Sequence, residues 1–177
     1  MAILSQAMRR FFPLVLVMAL LLPAAAWAAT ASPATANGPG DGTLVVDNGK
    51  GSVIVRARGG IIGRFDQGSV IISDLDLTDG RVPVVTGGVD SVQFLSGGRI
   101  QWSGDDIRFR MIGGLFRVQV NATGIDISAV GRGTAVLDAS DFTDFPGRYS
   151  LDGGPFRPLP GHATTYTLGQ APSLPVR

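Results

Sequence analysis

The chain of 177 residues contains no cysteine and no glutamate. Without a thiol there is no disulfide, no thiolate metal site and no lipid-acceptor cysteine behind an export signal, so stability rests on packing alone. Lysine is nearly absent as well: of the 15 basic residues 14 are Arg, with Lys50 the exception, and all 14 acidic residues are Asp. Glu and Lys are strong helix formers that fill solvent-facing helix positions. Their scarcity, together with 25 Gly and 11 Pro, argues against a helical domain and for strands and turns. Arg in place of Lys also follows from GC-rich coding, so the choice of cation alone identifies no partner. Histidine is reduced to His162, in the Pro-rich connection "PLPGHATT".

What is present begins with an export signal over residues 1–28. Arg9 and Arg10 precede an apolar run from Phe11 through Leu22, and the small-residue stretch "PAAAWAA" ends in a cleavage pattern after Ala28. The run, bracketed by Pro13 and Pro23, is short for a bilayer span of roughly 20 residues. The mature chain is therefore expected to be secreted or extracytoplasmic, without a transmembrane span. "RRFF" partly resembles a twin-arginine signal, with Pro13 where an aliphatic residue is usual, so both export routes stay open. Removing Arg9 and Arg10 leaves 13 basic against 14 acidic residues. A nucleic-acid partner is not expected at that balance.

Residues 29–42, "ATASPATANGPGDG", read as a flexible linker, and 170–177 as a disordered tail. Between them, 43–169 reads as one all-β domain. Apolar residues alternate there, and Gly- or Asp-rich punctuation recurs about every eight to ten residues. Thirteen short strands fit this pattern, from "TLVVD" to "TTYTL". The expected architecture is a Gly-rich antiparallel β-sandwich or β-roll, with a short β-solenoid as the alternative. "YSLDGGPFRPL" predicts a hairpin turning at Asp152–Gly154, with Pro155 at an edge.

Two segments echo each other: "RARGGIIGRF" at 56–65 and "RFRMIGGLFR" at 108–117. Strand alternation puts Val53, Val55 and Ala57 on one face and Arg56 and Arg58 on the other. It likewise puts Ile107, Phe109, Met111, Phe116, Val118 and Val120 inside, with Arg108, Arg110 and Arg117 outside. Gly59–Gly60 and Gly113–Gly114 then let the chain bend. An internal duplication and chance self-similarity of a Gly-punctuated β chain both account for the echo. The stretches "ARGGIIGRFDQGSV", "IRFRMIGGLFRVQV" and "GIDISAVGRG" also resemble exported β-rich proteins of GC-rich bacteria that carry no assigned activity. That resemblance implies location and fold class, and carries over no site residues.

Chemistry-bearing candidates are few. His162 in its loop lacks an orienting partner for a triad. Asp105 and Asp106 are adjacent, so on a strand they diverge, and "SGDD" reads as a turn. "SDLDLTDGR" brings Asp74, Asp76 and Asp79 into a loose likeness of a calcium loop, with the third carboxylate one position late and no distal bidentate ligand. Stacking of a neutral sugar would fall to Trp102, Tyr149 and Tyr166. No cofactor and no catalytic residue are indicated. The leading expectation is a non-catalytic protein of the bacterial cell envelope, with Arg56, Arg58, Arg108, Arg110 and Arg117 forming an exposed face for an anionic envelope polymer or another envelope protein. The alternatives are a carbohydrate-binding module or a glycoside hydrolase acting on envelope polysaccharide. The plain reading of the same arginines is the polar side of two half-buried strands, paired with cross-strand Asp. Oligomeric state is not legible.

Overall fold

The computed structural model describes residues 40–142 and 144–169. The expected export signal of 1–28, nearly all of the expected linker and the expected tail of 170–177 lie outside the described residues. Six strands make up the rest: β1 (Gly42–Asp74), β2 (Val84–Leu95), β3 (Arg99–Asp138), β4 (Arg148–Leu151), β5 (Arg157–Pro158) and β6 (Thr164–Leu168), with no helix among the described residues. Every ladder is antiparallel. The protein is all-β, as a sandwich or roll requires. A solenoid, whose coils stack in parallel, does not fit these pairings.

The thirteen short strands merge into far fewer. β1 runs for 33 residues and β3 for 40, because glycine bends a strand without ending its ladder. β1 lies between two passes of β3: Val53 faces Val120 on one side and Leu137 on the other, and Val70 faces Trp102 and Val120. The remaining strands extend this ribbon. The order is β2-β3-β1-β4-β5, with β6 added to β3. The two echoing segments pair with each other, Arg56 opposite Arg117, Gly60 opposite Ile112 and Arg64 opposite Arg108.

The bend needs glycine for a steric reason visible at one point. Gly59 and Gly131 face each other across the ladder, both with positive φ (156° and 146°). A Cβ on Gly131 would run into the Arg58 carbonyl and the Gly59 backbone, and one on Gly59 into the Val130 carbonyl. Two strands can therefore bend together there only while neither carries a side chain.

Alternation then fills the interior. Val53, Val55, Ala57, Ile61, Phe65, Val70 and Ile72 from β1 meet Ile107, Phe109, Met111, Phe116, Val118, Val120, Ile125, Ile127, Ala135 and Leu137 from β3 in one core. Each large apolar side chain so buried contributes about 1.5–3 kcal/mol. The DGG hairpin is present. Asp152 and Gly153 take positive φ (51° and 70°), and Gly154 N donates to the Leu151 carbonyl at 2.8 Å. Pro155 lies in the loop rather than on an edge, and Pro158 occupies the edge strand β5. On the side where β4 and β6 lie, Tyr149 and Tyr166 join through their hydroxyls at 2.7 Å. At the other end β2 pairs only with β3 among the described residues and leaves Val92 and Phe94 exposed.

Candidate functional site

The outer surface of the ribbon sets arginine directly opposite arginine three times: Arg56 with Arg117, Arg58 with Arg132, and Arg64 with Arg108. Like charges at such positions destabilise a sheet unless something neutralises them. At Arg64 the partner is Asp126, whose carboxylate accepts from Nε at 2.8 Å and lies 2.7 Å from a terminal guanidinium nitrogen. This hydrogen bond, outweighing partial burial, holds the Arg64 guanidinium above its ordinary pKa. Arg58 lies 3.7 Å from Asp76, and Arg132 is 3.1 Å from Asp41. The Arg56–Arg117 pair differs. Both side chains are exposed, and neither has an ion pair or hydrogen bond to another described residue.

The five arginines expected to share one face are thus divided. Arg56, Arg58 and Arg117 lie on one side of the Gly59–Gly60 and Gly113–Gly114 bends, while Arg108 and Arg110 lie on the other, opposite the part of β1 that follows Gly60. Arg110 stands opposite Ile62 and Val84, and Arg108 opposite Arg64 and Thr86. Neither Arg108 nor Arg110 has a carboxylate partner among the described residues, but Arg108 shares its row with the Arg64–Asp126 pair. Local alternation predicted the outward direction of all five. It had no means of finding the Asp partners, which come from distant parts of the chain.

Other candidates resolve differently. Asp74, Asp76 and Asp79 are taken up in local bonds: Asp74 accepts from Asp76 N at 2.9 Å, Asp76 from the Thr78 hydroxyl at 2.6 Å, and Asp79 from Arg81 N at 2.9 Å. The Thr78 hydrogen bond, with Arg58 assisting, holds the Asp76 carboxyl below its ordinary pKa. The loop does not gather a calcium ligand set, and among the described residues no three His or Asp side chains group as metal ligands. Asp105 and Asp106 do not form a free turn. They sit at a kink inside β3, where Asp106 has φ of 50°.

The aromatic array does not form. Tyr149 is buried and its ring packs on Tyr166 with centroids 5.2 Å apart, while Trp102 is half-buried against the core. Burial, then the Tyr149 hydrogen bond, pushes Tyr166 up to about 12. His162 lies exposed in its loop, where its carbonyl accepts from the Thr164 hydroxyl at 3.0 Å.

The pairing also creates a groove that no local pattern announced. Ser52 has Asn121 on one side and Asp138 on the other, and the segment after β3 rises beside them. That segment is fixed by Ala139 N donating to the Pro160 carbonyl at 2.8 Å and Phe142 N to the Ala139 carbonyl at 2.9 Å. The resulting concavity holds about 300 Å³. No family model, curated protein or solved structure matches the chain.

Proposed function

We propose that the protein is an exported, non-catalytic binding component of the bacterial cell envelope, which holds an anionic polymer on the Arg56–Arg117 pair. One observation carries this reading: of the three arginine–arginine oppositions in the ladder, two include an Asp partner, and this exposed one does not. A phosphate or carboxylate seated between the two guanidinium groups supplies the missing charge. It also suits arginine's planar donor geometry, which favours bidentate contact with such groups. The rigid strands on which both residues sit hold that geometry in advance. Export is inferred from the order of charged, apolar and small residues in 1–28.

The test compares arginine pairs. Wild-type protein is expected to be retained on immobilised polyphosphate and on purified anionic cell-wall polymer at low salt. Retention weakens as salt shortens the reach of surface charge to about 8 Å near physiological ionic strength. Arg56→Gln with Arg117→Gln should abolish retention, while Arg108→Gln with Arg110→Gln should reduce it little. Equal retention of wild type and the Arg56/Arg117 variant would remove this reading.

A further inference from the structure

We infer that the groove beside Ser52 takes an uncharged saccharide unit of the same polymer, so that the ligand is an anionic polysaccharide gripped at two points. The inference rests on the anionic-polymer reading and specifies what lies between the charges.

The groove and the arginine pair belong to one surface. Ser52 and Arg56 project from the same side of β1, and Asn121 and Arg117 from the same side of β3. In both strands the separation is four residues, about 13 Å at ~3.3 Å per residue. Between them lies a single row, Ile54 opposite Gln119, partly exposed and without charge. An extended chain molecule can therefore lie along the strands with one part in the groove and another over the guanidinium groups.

The lining decides what enters. Ser52, Gln67 and Asn121 offer hydroxyl and amide groups that both donate and accept, Asp138 and Asp141 offer acceptors, and Phe142 offers an apolar ring. Among the described residues no Arg or Lys lines the groove. Two carboxylates without a lining cation turn an anionic group away, so the charged part of the ligand is directed to Arg56 and Arg117. A sugar presents many hydroxyls, each a donor and an acceptor, around a ring with apolar C–H faces, and it matches this mixture. The groove's volume lies at the small end of the range for ligand sites, which suits one sugar unit rather than a long buried oligomer.

Three classes of probe separate the two points of contact: polyphosphate, which has charge and no sugar; neutral oligosaccharides derived from dextran, galactan, mannan and N-acetylhexosamine polymers; and the anionic polysaccharides alginate, polygalacturonate, hyaluronate and phosphomannan. The groove variant is Asn121→Ala with Asp141→Ala, neither of whose side chains hydrogen-bonds to another described residue, and an unchanged thermal transition checks that it is folded. At least one anionic polysaccharide is expected to bind wild type tenfold or more tightly than polyphosphate of matched charge. The groove variant should lose that advantage while still holding polyphosphate, and the Arg56/Arg117 variant should lose polyphosphate altogether. If every anionic polysaccharide binds only as polyphosphate does, or the groove variant binds them unchanged, the saccharide inference fails and the arginine reading stands. If a neutral oligosaccharide binds as well as its anionic counterpart, the arginine reading fails and takes the two-point ligand with it. Displacement of the polysaccharide from the groove by spermine at equal ionic strength would mark a cation site and overturn the inference.

Discussion

The rows Arg56–Arg117 and Arg64–Arg108 are built from the same two strands in the same antiparallel ladder, yet they stand in opposite electrostatic conditions. Beside Arg64, Asp126 is held twice over, by the guanidinium and by Asn48 N at 2.8 Å, so the charge there is part of the fold. Beside Arg56 the corresponding neighbour is Thr134, which has no charge to give. Two nearly identical sequence patterns thus stand in different surroundings because of what the second pass of β3 places alongside. A carboxylate ties an arginine into the fold; on the proposed reading, its absence leaves the Arg56–Arg117 opposition open to a ligand.

The largest effects should be common to both rows, because the same core lies beneath them. Phe116→Ala, under the first row, and Phe65→Ala, under the second, each empty a fully buried position and should each cost about 3–5 kcal/mol in denaturant unfolding. A much smaller loss at either one would show that the two arms do not share a core.

Next is Asp126→Ala, which strips the second row of its counter-charge. It removes hydrogen bonds to Arg64 and to Asn48 N and should cost about 1–3 kcal/mol. The same change removes the direct partner of Arg64 and leaves only the more distant charges of Asp66 and Asp106, so retention on polyphosphate should rise. Unchanged retention would mean that an unpaired arginine opposition is not sufficient to hold an anion.

The reverse experiment is gentler. Thr134→Asp places a carboxylate next to Arg56 and should stabilise the fold by about 0.2–1 kcal/mol, the range for an opposite-charge cross-strand pair. It should also eliminate polymer retention without removing any arginine. Retention that survives this change would place the anion elsewhere.

The smallest effect sharpens the comparison by exclusion. Arginine does not titrate in proteins below about pH 12, so the guanidinium groups of the two rows add nothing to the alkaline pH dependence. The Tyr149–Tyr166 pair does. With Tyr166 raised to about 12 from an ordinary value near 10, its contribution is fully present below about pH 10 and is lost as pH rises toward 12, since the unfolded chain ionises first. Tyr166→Phe should flatten the stability profile over that window. A profile that falls equally steeply in the variant would assign the alkaline loss to another group.

Much of the fold was legible in the sequence because alternation is a local property. The inward sets Val53, Val55 and Ala57, then Ile107, Phe109 and Met111, then Phe116, Val118 and Val120, are all in the core as their spacing requires. The strand count was misjudged at the glycines, where a change of direction reads in sequence just as a chain break does. Gly59 and Gly113 bend their strands and the ladder continues. The candidate site was half legible. The arginines declared their direction, but Asp126, Asp76 and Asp41 come from elsewhere in the chain, and only register shows which arginine each one reaches. The groove was not legible at all, since Ser52, Asn121, Asp138 and Asp141 become neighbours only when both ladders of β1 have formed.

The placement of β1 between two passes of β3 has a consequence for how such a chain can change in length. Because Val53 is registered to Val120 on one side and to Leu137 on the other, a residue inserted in mid-strand would have to be absorbed by both ladders together. A slip of one residue exchanges the inward and outward faces, sending Val53 and Val55 toward solvent and Arg56 toward the core. Length variation is therefore better tolerated in the connections at 75–83, 96–98, 139–147, 152–156 and 159–163, where no second ladder has to follow. The third of these walls the groove, so a change of length there would reshape the groove while leaving both ladders of β1 intact.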